Sequence, residues 1–67
     1  MCNAYAVIVQ YEKNFQVLTV RITLESAKEF LAEIATIRTN PKWKDNSKRC
    51  FTNDKYKYYI QPTSLQL

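Results

Sequence analysis

The chain has 67 residues, a net charge of +4, no glycine and no histidine. At ordinary usage of about 7%, a chain of this length would hold roughly five glycines. Their absence excludes the P-loop and the dinucleotide fingerprint, whose backbone needs glycine, and the absence of histidine removes the commonest general base and metal ligand.

The length predicts one domain, 1–67. A hydrophobic share of 46% and an aromatic share of 13% mark a chain that folds. A chain near this size hides only ~60% of its unfolded surface, so the core is thin and burial against a second copy or a target would add to it.

Residues 4–11 and 16–24 are rich in β-branched and aromatic side chains and predict a first hairpin over 4–24. In the second strand Leu18, Val20, Ile22 and Leu24 alternate with Thr19, Arg21 and Thr23. Pairing Val9 with Leu18, Val7 with Val20 and Tyr5 with Ile22 makes the alternating apolar positions of that strand meet apolar positions of the first. The back face then carries Ala6, Ile8, Val17, Thr19 and Arg21. It is half apolar, and Ile8, Val17, Thr19 and Arg21 become candidates for self-association in a homodimer.

A helix over 24–38 follows. Thr23 can cap it, or Ser26 can, with Glu29 completing a capping box. Ala27, Phe30, Leu31, Ile34, Ile37 and Arg38 share one face at i, i+3, i+4 spacing, while Lys28, Glu29, Glu33 and Thr36 share the other. Pro41 disfavours helical geometry at Asn40.

Residues 39–48 read as a basic loop with a turn at Asp45-Asn46. A second hairpin is expected over 49–61, turning at Asn53-Asp54, with Pro62 ending its last strand or marking it as an edge, before a tail over 62–67 that carries Leu65 and Leu67. The expected fold is α+β: ββαββ, an antiparallel sheet of about four strands with one helix on one face. Asn14, Asn46, Asn53 and Asn40 stand where left-handed turn residues are wanted, since asparagine tolerates that conformation better than most residues.

Charge is uneven along the chain. Residues 1–37 carry Lys13, Arg21 and Lys28 against Glu12, Glu25, Glu29 and Glu33. From Arg38 to Lys57 come Arg38, Lys42, Lys44, Lys48, Arg49, Lys55 and Lys57 against Asp45 and Asp54. The basic second half favours an acidic partner, protein or nucleic acid. Its candidate binding residues are Trp43, Lys42, Lys44, Arg49, Lys55, Lys57 and Tyr59. Trp43 would anchor and the cations would steer. Cations interleaved with rings also suit nucleic acid, with ammonium groups on phosphates and rings on bases, although no RNP, KH, helix-turn-helix or zinc-finger signature is present. The plain alternative makes Tyr56, Tyr58 and Ile60 core and the lysines guards of an exposed edge.

Glu25, Glu29 and Glu33 read as a solvated helix edge rather than an acid–base pair. Cys50 beside Lys48 and Arg49 lacks a histidine base and a glycine-built oxyanion loop, so no catalytic residue is expected. Cys2 and Cys50 cannot supply four zinc ligands, and neither a metal nor a cofactor is expected. No apolar run reaches the ~18 residues of a membrane span, and the opening residues lack a signal peptide's basic region. An intracellular, cytoplasmic setting with reduced thiols is therefore expected. In size, Asn/Lys usage and lack of motifs, the chain resembles the short accessory proteins of phages and mobile elements. That resemblance implies a non-enzymatic module that binds and inhibits or modulates a larger host protein or complex. The alternative is a small nucleic-acid-binding protein using the same face.

Overall fold

The computed structural model describes residues 3–38, 41–44 and 46–64. Cys2, Asn40, Asp45, Leu65 and Leu67, on which expectations were placed above, lie outside them. The elements are β1 (Ala4–Tyr11), β2 (Asn14–Arg21), α1 (Leu24–Ile37), β3 (Lys42–Trp43), β4 (Cys50–Asn53) and β5 (Tyr56–Thr63). The fold is α+β, with one antiparallel sheet in the order β2-β1-β5-β4-β3 and one helix. The sheet has five strands instead of four, and the order is ββαβββ rather than ββαββ. The extra strand arises within the expected basic loop, where Lys42 and Trp43 pair with Thr52 and Phe51. Two residues are too short to leave a strand pattern in the sequence. The Trp43 ring gives the pairing a driving force, since its centroid lies 5.0 Å from that of Phe51.

The first hairpin turns at Glu12-Lys13 and pairs Tyr11 with Asn14, Val9 with Gln16 and Ile8 with Val17. This replaces the expected pairing of Val9 with Leu18. A two-residue loop is the commonest hairpin connection, and it draws Asn14 and Phe15 into the ladder. The register then shifts between Val7 and Ile8, because Val7 pairs with Thr19 and leaves Leu18 as an extra residue on β2. Such a bulge places two successive side chains on one face and reverses the alternation beyond it. Thr19 and Arg21, partners of Val7 and Tyr5, therefore stand on the helix side, and Val20 turns to the other face. Ile22 leaves the sheet and is exposed. Apolar pattern could not fix this register: Ala6, Val7, Ile8 and Val9 are apolar on both faces of β1, so a slip meets no polar penalty.

Thr23 caps α1, its hydroxyl accepting from the Ser26 N–H at 3.1 Å. The Ser26–Glu29 capping box is not the one used, and Ser26 Oγ instead accepts from Arg21 Nη1 at 3.3 Å. Ala27, Leu31 and Ala35 point inward, with Phe30 and Ile34 half-buried beside them. Two alanines on that stripe let the helix approach the sheet closely. The turn of the helix carries Ile37 out to 74% exposure, away from its expected core position. The helix ends at the Arg38 cap, as its exit before Pro41 requires.

The core cluster joins Val7, Ala27, Leu31, Ala35, Phe51 and Tyr58, with the Phe51 and Tyr58 rings stacked at 4.8 Å. It lies wholly between α1 and one sheet face. The smallest dimension of the molecule is 18 Å, about what one sheet and one helix occupy.

β5 runs through Pro62 to Thr63, where β4 no longer accompanies it, so Pro62 marks an edge rather than ending the strand, and its missing N–H faces no neighbour on that side. Among the described residues positive φ occurs at Glu12, Lys48 and Asp54, not at Asn14, Asn46 or Asn53. Asn14 and Asn53 are the strand residues that flank the two tight loops.

Candidate functional site

Among the described residues α1 packs on one side of the sheet only, and no element covers the second face, called the open face below. Partners across an antiparallel ladder share a face, so its composition follows from the register. One row crosses all five strands as Phe15, Gln10, Lys57, Thr52 and Lys42. The next holds Val17, Ile8, Tyr59 and Cys50, and a third holds Val20, Ala6 and Gln61. Phe15, Val17 and Val20 are 63%, 55% and 42% exposed. Ala4 and Ala6 are buried on this face, apart from the core cluster. Ala6 stands between Val20 and Gln61 in the third row, and Ala4 pairs with Thr63.

The face therefore grades from apolar on β2 and β1 to cationic on β5 and β3. No carboxylate stands in its rows. The described acidic residues lie elsewhere: Glu12 and Asp54 in the two tight turns, and Glu25, Glu29 and Glu33 exposed along the helix. The molecule thus presents an acidic helix on one side and a basic, apolar sheet on the other.

The residues singled out for partner binding divide between these sides. Lys42, Lys57 and Tyr59 share the open face, with Lys57 Nζ 5.6 Å over the Tyr59 ring. Trp43 does not. It is half-buried on the helix side, packed on Phe51 and covered by Lys48, whose Nζ lies 4.9 Å from the ring centre. Lys44 and Arg49 are exposed where β3 and β4 meet, the Lys44 N–H donating to the Cys50 carbonyl at 3.0 Å. Lys55 is exposed in the β4–β5 turn. Tyr56 and Tyr58 face the helix side, as strand alternation required, and Tyr11 stacks on Tyr56 at 4.8 Å.

Of the self-association candidates, Ile8 and Val17 lie together on the open face. Thr19 and Arg21 are carried to the opposite face by the bulge, where Arg21 sits 5.1 Å over the Phe30 ring. Sequence reasoning missed Phe15 and Val20 as members of the open face. The preference for two-residue hairpin loops would have recovered Phe15; nothing local in the chain announces the bulge that exposes Val20.

Among the described residues, no group of three or more Cys, Asp or Glu could hold a metal ion. Nor, among them, is any helix long and apolar enough to cross a membrane. No protein-family model matches the chain, and no curated protein and no solved structure gives a significant match.

Proposed function

We propose that the chain is a non-enzymatic interaction module that binds a larger protein, and inhibits or modulates it, through the open sheet face. This is the mode of action implied by its likeness to the short accessory proteins of phages and mobile elements. One observation carries the reading: a single face joins exposed Phe15, Val17 and Val20 to Lys57 and Lys42 with no carboxylate between them. Such a face suits a partner with an apolar centre and an acidic rim. Apolar contact supplies affinity, and the cations supply approach rate and orientation. Lys44, Arg49 and Lys55 add to the steering field from the rim. Trp43 supports β4 from behind.

A larger protein with an acidic rim fits this face better than a second copy, whose own rows offer no carboxylate to Lys42 and Lys57. Nucleic acid has less support: Trp43, Tyr56 and Tyr58 are turned to the helix side, leaving Phe15 and Tyr59 as the rings of the open face, in different rows and two strands apart.

The test uses the purified chain in nuclease-treated extract of its native source, with complex mass measured across concentrations. A saturable protein complex is expected, lost in Lys42→Glu/Lys57→Glu and kept in Glu29→Lys/Glu33→Lys. Retention by the first pair, a complex that nuclease destroys, or self-association alone would overturn the reading.

A further inference from the structure

The helix side holds a second, separate feature. α1 starts near the end of β2, where Arg21 meets both Ser26 and Phe30, and finishes where Arg38 reaches Tyr58 on β5. A helix on that diagonal leaves one corner of the sheet uncovered. The corner is a groove of about 440 Å³ with Val9 and Tyr58 as floor and Leu18, Phe30 and Ile34 as walls. A smaller depression of about 150 Å³ adjoins it, sharing Val9, Gln16 and Tyr56 and reaching Tyr11. The bulge contributes directly: as the extra residue of β2, Leu18 lines the groove beside Gln16.

The lining holds one charged group, the guanidinium of Arg38, which lies 5.7 Å over the Tyr58 ring. Stacking on an aromatic face leaves the in-plane N–H donors of arginine free to bind an oxyanion. The volume lies within the ~300–1,000 Å³ of small-molecule sites, which are mostly apolar with a few polar groups that fix orientation. A groove that joins Val9, Leu18, Phe30 and Ile34 to one cation, with Gln16 and Asn53 as its uncharged polar groups, matches one ligand chemistry, an apolar chain with an anionic head.

We infer that this groove binds a small amphipathic anion of the medium-chain carboxylate class, its tail against Val9, Leu18, Phe30 and Ile34 and its head on Arg38. The site is independent of the open sheet face, and its ligand need not affect the partner bound there.

The test titrates octanoate, and in parallel uncharged octanol, into the isotopically labelled protein below the self-association limit of either ligand. Expected is saturable one-to-one binding in the millimolar range or tighter, with shifts confined to Val9, Leu18, Phe30 and Ile34. Arg38→Gln, a change at an exposed helix cap, should weaken octanoate about tenfold, equivalent to ~1.4 kcal/mol, and leave octanol unchanged. Leu18→Gln should weaken both ligands. Absence of saturation, shifts centred on Val17 and Val20, or equal loss of both ligands in Arg38→Gln would each overturn the assignment.

Discussion

Val7 and Val20 form a matched pair for testing the architecture. Strict alternation places both against the helix, whereas the bulge leaves only Val7 there. Val7 is 0% exposed and Val20 is 42% exposed. Truncation to alanine removes two methyl groups, worth ~0.8 kcal/mol each when fully buried. At Val7 the loss is about 1.6 kcal/mol plus the penalty of the void left behind, some 2–3 kcal/mol in all. At Val20 a little over half of the side chain is covered and no void forms, so the loss is about 1 kcal/mol or less. A 67-residue domain has on the order of 3–10 kcal/mol in total, so Val7→Ala removes a large share of it. Urea unfolding followed by the fluorescence of Trp43 reads both variants. At a slope of ~1 kcal/mol/M, the midpoint of Val7→Ala should fall at least ~1 M below that of Val20→Ala. Equal midpoints would mean that Val20 faces the core, refuting the bulge and the open face derived from it.

Leu31→Ala should cost about 2–5 kcal/mol, as for other fully buried leucines, while Ile37→Ala stays within ~0.5 kcal/mol; the same urea titration checks the pair. Glu12→Val forces a β-branched residue to φ 56° and should lower stability by about 1–2 kcal/mol, with Glu12→Asn near neutral. Trp43→Ala should lose on the order of 2 kcal/mol through lost packing on Phe51, read by circular dichroism, and still bind its partner at temperatures where it is folded. Loss of binding without loss of stability would restore Trp43 as an anchor.

The element types were legible because each left a pattern over many residues: β-branched runs at 4–11 and 16–24, a 3.6-residue period before Pro41, and alternation around Tyr56 and Tyr58. The face of β1 that meets the helix was legible, since Tyr5, Val7 and Val9 pack there as expected; the register of β2 was not, because β1 offers apolar side chains on both faces and periodicity is silent on a slip. β3 lay below the length at which strand preference shows, and it exists because Trp43 finds Phe51. The absence of glycine made the asparagines look like the left-handed residues. Loop length decides that instead, and a two-residue loop from Tyr11 to Asn14 leaves Glu12 to take the positive φ. Half of the candidate site followed from alternation in β5, which separates Lys57 and Tyr59 from Tyr56 and Tyr58. The apolar half depended on the bulge at Leu18, and the groove beneath Arg38 depended on the diagonal of the helix; both are tertiary facts.

The central claim is that the open sheet face touches the partner. Photo-crosslinking from single sites in the native setting tests it directly, with a photoreactive residue at Val17 on the open face or at Ala32 on the exposed helix side. The account predicts one dominant protein adduct from position 17, abolished by Lys42→Glu/Lys57→Glu, and none from position 32. An adduct from position 32 alone, or a nucleic-acid adduct from position 17, would contradict it.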